Sequence, residues 1–209
     1  MPGIAELQTI EAEFLAKHQE YRSILSALPL APADSLDTDL SACIVAEGTF
    51  IRYFTLWENS VEKAFIHFCQ GTTTLNGKQP VCRLANCSAD VVRKILTAER
   101  KFLDWSDQRY IRDRATLYFD NNGMPFYNPI IGKAHVLADA QKIRNVIAHD
   151  SLESWNSYRA VQRNNFQTER TFAMSPGQML RSRGSGKRKN WGEYYLDEIS
   201  QIFAAILRP

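Results

Sequence analysis

The chain has 209 residues, 44% of them hydrophobic and 23% charged, proportions of an ordinary globular protein that exclude disordered, collagen-like and membrane-spanning classes. A formal charge of +2 is too small to announce extended phosphate binding, so any nucleic-acid contact has to be local. A single domain over residues 1–209 is expected, because one core of this size is common.

The opening MPGIAELQTIEAEF carries acidic residues and no apolar run, unlike a signal or transit peptide. No later stretch approaches the roughly 20 uninterrupted apolar residues that span a bilayer. A cytoplasmic location without membrane contact is expected. Cys43, Cys69, Cys82 and Cys87 form no Cys-x-x-Cys pair and have no histidine at ligand spacing, which argues against a structural zinc site and for reduced thiols. No metal and no cofactor is expected.

In chain order, Ile4, Leu7, Phe14, Tyr21, Leu25 and Leu28 keep a three-four alternation, with Glu11 and His18 on the same stripe, which predicts a long first helix. Pro29 and Pro32 end it, and Asp37-Thr38-Asp39 offers capping oxygens for the next helix. Phe50, Phe54, Trp57, Val61, Ala64 and Phe68 then form an aromatic seam on a second helix reaching about Gln70, with Gly71 as its stop. So regular a seam reads as core.

Residues 71–87 read as a polar loop, and Ser88 opens a third helix through about Leu103. Between Asp104 and Gly132 the sequence mixes aromatics, Asp-Asn-Asn-Gly and two prolines, predicting a short helix near Asp107–Arg114 followed by a long irregular insertion. Val136, Ala140, Ile143 and Ile147 mark the next helix, from Lys133 to about His149. A further helix covers Glu153 to Phe166, and Ser175-Pro176 has the N-cap and first-turn pattern of a short one. Tyr195, Ile199, Ile202 and Ile206 build a terminal helix. No internal repeat and no useful strand alternation appears, so the expected fold is all-α, an up-and-down bundle of about five to seven helices.

Before the terminal helix, the run from Arg181 to Lys189 places Arg181, Arg183, Lys187, Arg188 and Lys189 among glycines, which predicts a mobile basic loop. Two readings are open for it: RNA contact, or a solvated surface loop.

The motif that carries chemistry is Arg144-Asn145-Val146-Ile147-Ala148-His149. At 100 degrees per residue, Asn145 and His149 project roughly 150 to 170 degrees from the centre of the apolar stripe, and Arg144 sits on its flank at about 70 degrees. Arg and His at a helix C-terminus are also favoured by the helix dipole alone. With 16 arginines, 4 histidines and 11 asparagines in the chain, however, Arg-Asn-x-x-x-His is expected by chance only about 0.02 times, against roughly 0.3 for the Arg and His alone.

This segment resembles the hallmark of the HEPN superfamily, Arg-x(4-6)-His in a late helix of a small bundle, and matches its Arg-Asn-x-x-x-His form at every specified position. Leu56-Trp57-Glu58-Asn59-Ser60-Val61-Glu62-Lys63 is similar to the aromatic-acidic helix that precedes the motif helix in members from microbial defence systems. In pattern the likeness covers residues 40–205, while 71–133 follow no family signature. The resemblance implies RNA cleavage by the RNA's own 2′-hydroxyl, without metal, in a cleft where two protomers bring their motifs together as a homodimer. It also implies a toxin or effector of toxin-antitoxin or antiviral defence, with an antitoxin or trigger as a partner protein.

The residue types suit that chemistry. His149 serves as general base or acid, the role an imidazole takes most often in catalysis. Arg144 holds the scissile phosphate through its planar fork. Asn145 positions substrate or imidazole, and Glu58 or Glu62 orients Arg144, unless both simply belong to an exposed acidic face. Two rival readings stand beside this one: a HEPN-like module that binds nucleotide, RNA or protein without cutting, and an inert helical dimerisation domain.

Overall fold

The computed structural model describes residues 2–32, 35–85, 87–97, 104–166, 174–184 and 186–209. Among them the protein is all-helical, with ten helices and no strand: α1 (Pro2–Ala27), α2 (Leu40–Cys69), α3 (Ala89–Thr97), α4 (Gln108–Tyr118), α5 (Asp120–Gly123), α6 (Tyr127–Gly132), α7 (Ala134–His149), α8 (Leu152–Phe166), α9 (Pro176–Arg181) and α10 (Trp191–Leu207). The excess over five to seven comes from short elements, since α5, α6 and α9 have four, six and six residues. The expected continuation of α3 to Leu103 falls outside the described residues from 98 onward.

Several helix ends follow local capping chemistry. Asp39 Oδ1 accepts the N–H of Ala42 at 3.0 Å and caps α2. Gly71, with φ +84°, supplies the left-handed residue after it. Ser175 Oγ accepts the N–H of Gln178 at 3.1 Å, with Pro176 as the first residue of α9. At α10, Asn190 and Glu193 cap reciprocally: Glu193 N–H donates to Asn190 Oδ1 at 2.8 Å and Asn190 N–H to Glu193 Oε2 at 3.2 Å.

The contacts fall into two compact units, Met1–Ala16, Leu56–Leu137 and Ile199–Pro209 in the first, Lys17–Thr55 and Ala138–Glu198 in the second. In the first, the predicted irregular insertion is corrected. The short helix expected near Asp107–Arg114 is α4, which runs on to Tyr118, and the stretch expected to be irregular after it adds α6, because its aromatics have a core to enter: Phe65 meets Trp105, Phe119 and Phe126 at ring-centroid separations of 5.2, 5.0 and 4.9 Å. The chain there leaves the helix at Phe119, at Asn121, Asn122 and Gly123, all three with positive φ, and in the turn at 124–126. A Cβ on Gly123 would meet the Thr116 nitrogen at 2.9 Å, so this position requires glycine. Buried Phe14 and Trp57 both face Phe203 of α10.

In the second unit, α2 contributes Phe50, Tyr53 and Phe54, all fully buried. The Tyr53 hydroxyl donates to the Leu196 carbonyl at 2.8 Å, and α9 comes so close to α2 that a Cβ on Gly177 would stand 2.4 Å from the Cys43 oxygen. The polar residue on the α1 stripe, His18, is 5% exposed. Its Nε2 lies 3.3 Å from Asp197 Oδ1, while its Nδ1 is 3.2 Å from the Tyr53 hydroxyl.

Asp197 gathers Arg22, His18 and Lys189 about one carboxylate. Burial raises its pKa, but hydrogen bonds from His18 and Lys189 and the charge of Arg22 outweigh that and hold it at about 2, against 3.8 ordinarily. A carboxylate depressed in the folded state stabilises above its unfolded pKa, and that stability is lost as pH falls through the folded value. Acid unfolding between pH 4 and 2 is therefore expected to be less steep in Asp197→Asn than in the wild type, followed by circular dichroism; identical acid profiles would remove Asp197 from the account.

Candidate functional site

Helix α7 buries Val136, Leu137, Ala140, Ile143 and Val146. Its apolar face is thus rotated toward Val146, and Ile147, expected on the stripe, is only half-buried. The rotation leaves the opposite side free: His149 is exposed, and Arg144 and Asn145 are half-buried.

Helix α7 stops immediately after the motif because Asp150 adopts the left-handed conformation, φ +44°. Asp150 N–H still closes a bond to the Val146 carbonyl at 3.2 Å, and its Oδ1 accepts the indole N–H of Trp155 at 2.6 Å. Helix α8 then starts on a serine pair: Ser154 N–H donates to Ser151 Oγ at 3.2 Å, and Ser151 N–H donates to Ser154 Oγ at 3.0 Å. This is capping-box logic with serine in the place of Glu.

Between these helix ends lies an open groove of about 280 Å³, lined by Lys142, Asn145, His149, Ser151, Glu153, Ser154 and Ser157. Lys142, Asn145 and His149 occupy one face of α7 at spacings of three and four. Arg144 does not line the groove; its guanidinium donates to Asn145 Oδ1 at 3.2 Å and so stands at the edge. Lys142 Nζ lies 3.2 Å from Asp139. The groove presents an imidazole, an amide, the Ser157 hydroxyl and the Lys142 ammonium to a polar ligand, with Glu153 as its acidic wall.

Sequence reasoning found Asn145 and His149 but not Lys142, Ser151, Glu153, Ser154 or Ser157. Lys142 carried a signal, being three residues before Asn145 on the outward face. The α8 contribution carried none, because it depends on the turn angle at Asp150. Glu58 and Glu62 belong to the first unit, where Glu62 lies 3.6 Å from Arg93.

The basic run divides sharply. Arg181 is a correction: it is 2% exposed, inside α9, and donates to Asp37 Oδ2 at 2.7 Å, the Pro29 carbonyl at 2.9 Å and the Asp39 carbonyl at 3.3 Å. A buried guanidinium so occupied cannot reach RNA. Lys189 is exposed but paired with Asp197, whereas Arg183, Lys187 and Arg188 are exposed. The loop is also less free than expected, since an antiparallel bridge joins Arg183 to Asn190 and the Trp191 N–H donates to the Ser182 carbonyl at 3.0 Å.

Removing Arg181 strands Asp37, whose side chain is 8% exposed. Arg181→Ala is expected to cost about 3–5 kcal/mol in urea unfolding, with part of the loss recovered in the double variant with Asp37→Asn; a cost below about 1 kcal/mol would show that the pair is not structural. Comparison with family models, with curated proteins and with solved structures found no match.

Proposed function

We propose that the protein is a HEPN-type endoribonuclease that cleaves RNA by attack of the 2′-hydroxyl on the adjacent phosphate, without a metal. The observation that carries this reading is that His149 and Asn145 line one groove, with Arg144 at its edge. In the reaction His149 accepts or returns a proton at the attacking or leaving oxygen. Arg144 holds a phosphate oxygen as charge accumulates in the pentavalent transition state, releasing Asn145 to position substrate. Lys142 adds a cation on the same helix face.

One Arg and one His per chain make a sparse site, and pairing two protomers doubles both. Leu152, next to groove-lining Ser151 and 77% exposed, gives a second copy apolar surface to cover. The biological setting belongs to the same proposal: a cytoplasmic toxin or effector of a defence system, held or triggered by a partner protein. Among the described residues no helix is long and apolar enough to cross a membrane.

Purified protein is expected to cut single-stranded RNA in EDTA and to leave 2′,3′-cyclic phosphate ends. His149→Ala and Arg144→Ala should each lower the rate by 100-fold or more, on the order of removing an acid-base group or an oxyanion donor, with unchanged circular dichroism. Full activity in either variant would reject the assignment. Tight RNA binding with no cutting would favour the non-cleaving module instead. Light scattering should give a species of twice 23.9 kDa; a monomer that cuts at full rate would exclude the shared cleft.

A further inference from the structure

The basic loop and the start of α10 enclose a second cavity in the same unit, about 250 Å³, lined by Lys187, Arg188, Lys189, Trp191 and Tyr194. Cations at the rim and aromatic rings beneath them are the two elements that hold single-stranded nucleic acid: charge follows the backbone and rings stack the bases. The geometry points to an accessory site here for one unpaired nucleotide of an RNA strand, its base against Tyr194 and Trp191 and its phosphates on Lys187 and Arg188. This rests on the nuclease reading in taking RNA as the ligand.

Three features make the cavity a formed site rather than a solvated loop. First, the aromatic wall is fixed. Trp191 packs against Tyr194, Tyr195 and Phe166 at centroid separations of 5.5, 6.2 and 6.0 Å. Second, the loop is fastened to that wall. Lys187 N–H donates to the Gly184 carbonyl at 3.0 Å, and Gly184 sits so near the indole that a Cβ would stand 3.0 Å from it. The Asn190–Glu193 cap anchors the loop's other end. Third, charge and hydrogen-bonding capacity are left over. Among the described residues Lys187 and Arg188 have no acidic partner, while Lys189 is spent on Asp197. The Trp191 indole N–H is buried without an acceptor, an arrangement that a carbonyl or ring nitrogen of a base would relieve.

The placement relative to the motif groove is set by one helix. Ser154 and Ser157, near the start of α8, line that groove, and Phe166 at the end of α8 touches Trp191. Twelve residues of helix separate Ser154 from Phe166, about 18 Å along the axis, a span of a few nucleotides.

The test is binding of a fluorescein-labelled single-stranded 2′-O-methyl oligonucleotide of mixed sequence, which has no 2′-hydroxyl to attack, so that affinity is read independently of cleavage. Tyr194→Ala should weaken binding roughly 5- to 150-fold, and Tyr194→Phe should restore most of it. Lys187→Ala with Arg188→Ala, both exposed and safe for folding, should flatten the dependence of log affinity on log salt by about 0.7 per cation. Inorganic polyphosphate supplies charge without bases, and its binding should fall in the double cation variant but not in Tyr194→Ala. Equal loss of polyphosphate in Tyr194→Ala, or affinities within about twofold of wild type in all folded variants, overturns the proposal. Tight oligonucleotide binding with these losses but no RNA cutting by wild type removes the nuclease reading and leaves this site standing.

Discussion

The candidate site depends on one backbone reversal. Asp150 takes a left-handed conformation, φ +44°, that a non-glycine residue adopts only against a steric cost, smaller for Asp than for most. The Trp155 indole N–H bound to its carboxylate at 2.6 Å offsets that cost. Without this reversal α7 would run on and Ser154 and Ser157 would be carried along its own surface. With it, α8 folds back and the outward face of α7 acquires an opposite wall, so that His149 and Asn145 stand in a groove rather than on an open cylinder. The serine cap of α8 holds the wall at its near end.

The same unit sorts its cations by task. Arg181 disappears into the interior to satisfy Asp37 and the carbonyls of Pro29 and Asp39, and Lys189 joins Arg22 and His18 on Asp197. What remains exposed on the loop is a smaller set, Arg183, Lys187 and Arg188, while Lys142 and Arg144 stand half-buried at the groove. This distribution accords with a chain whose net charge is only +2: the positive field is local, and part of the apparent basic excess of the loop is structural.

Periodicity made the long elements legible. The aromatic seam of α2 is entirely buried at Phe50, Phe54, Trp57, Val61, Ala64 and Phe68, because a three-four spacing of large rings has only one way to leave water. Capping chemistry made Asp39, Gly71 and Ser175 legible for a similar reason: each satisfies a local backbone requirement. The helix near Asp107–Arg114 was legible, but residues 115–132 were not, since they are held by rings that meet Phe65 from far along the chain, and no local pattern encodes such a partner. Arg181 misled because a guanidinium in a basic run looks solvated until the carboxylate of Asp37, 144 positions away, is known to face it. At the site, the outward direction of Asn145 and His149 followed from helix geometry alone, whereas the α8 wall required the Asp150 turn, which Asp in that position permits but does not announce.

The central claim is that this groove receives an RNA phosphodiester at the side chains of Arg144, Asn145 and His149. Nitrogen-15 NMR of those side chains, recorded while adding an RNA strand with one 2′-deoxy residue at its cleavage position, examines that claim without relying on turnover. The account predicts that the His149 ring nitrogens, the Asn145 amide and the Arg144 guanidinium shift together and saturate with the strand. A strand that binds and leaves all three unmoved would contradict it.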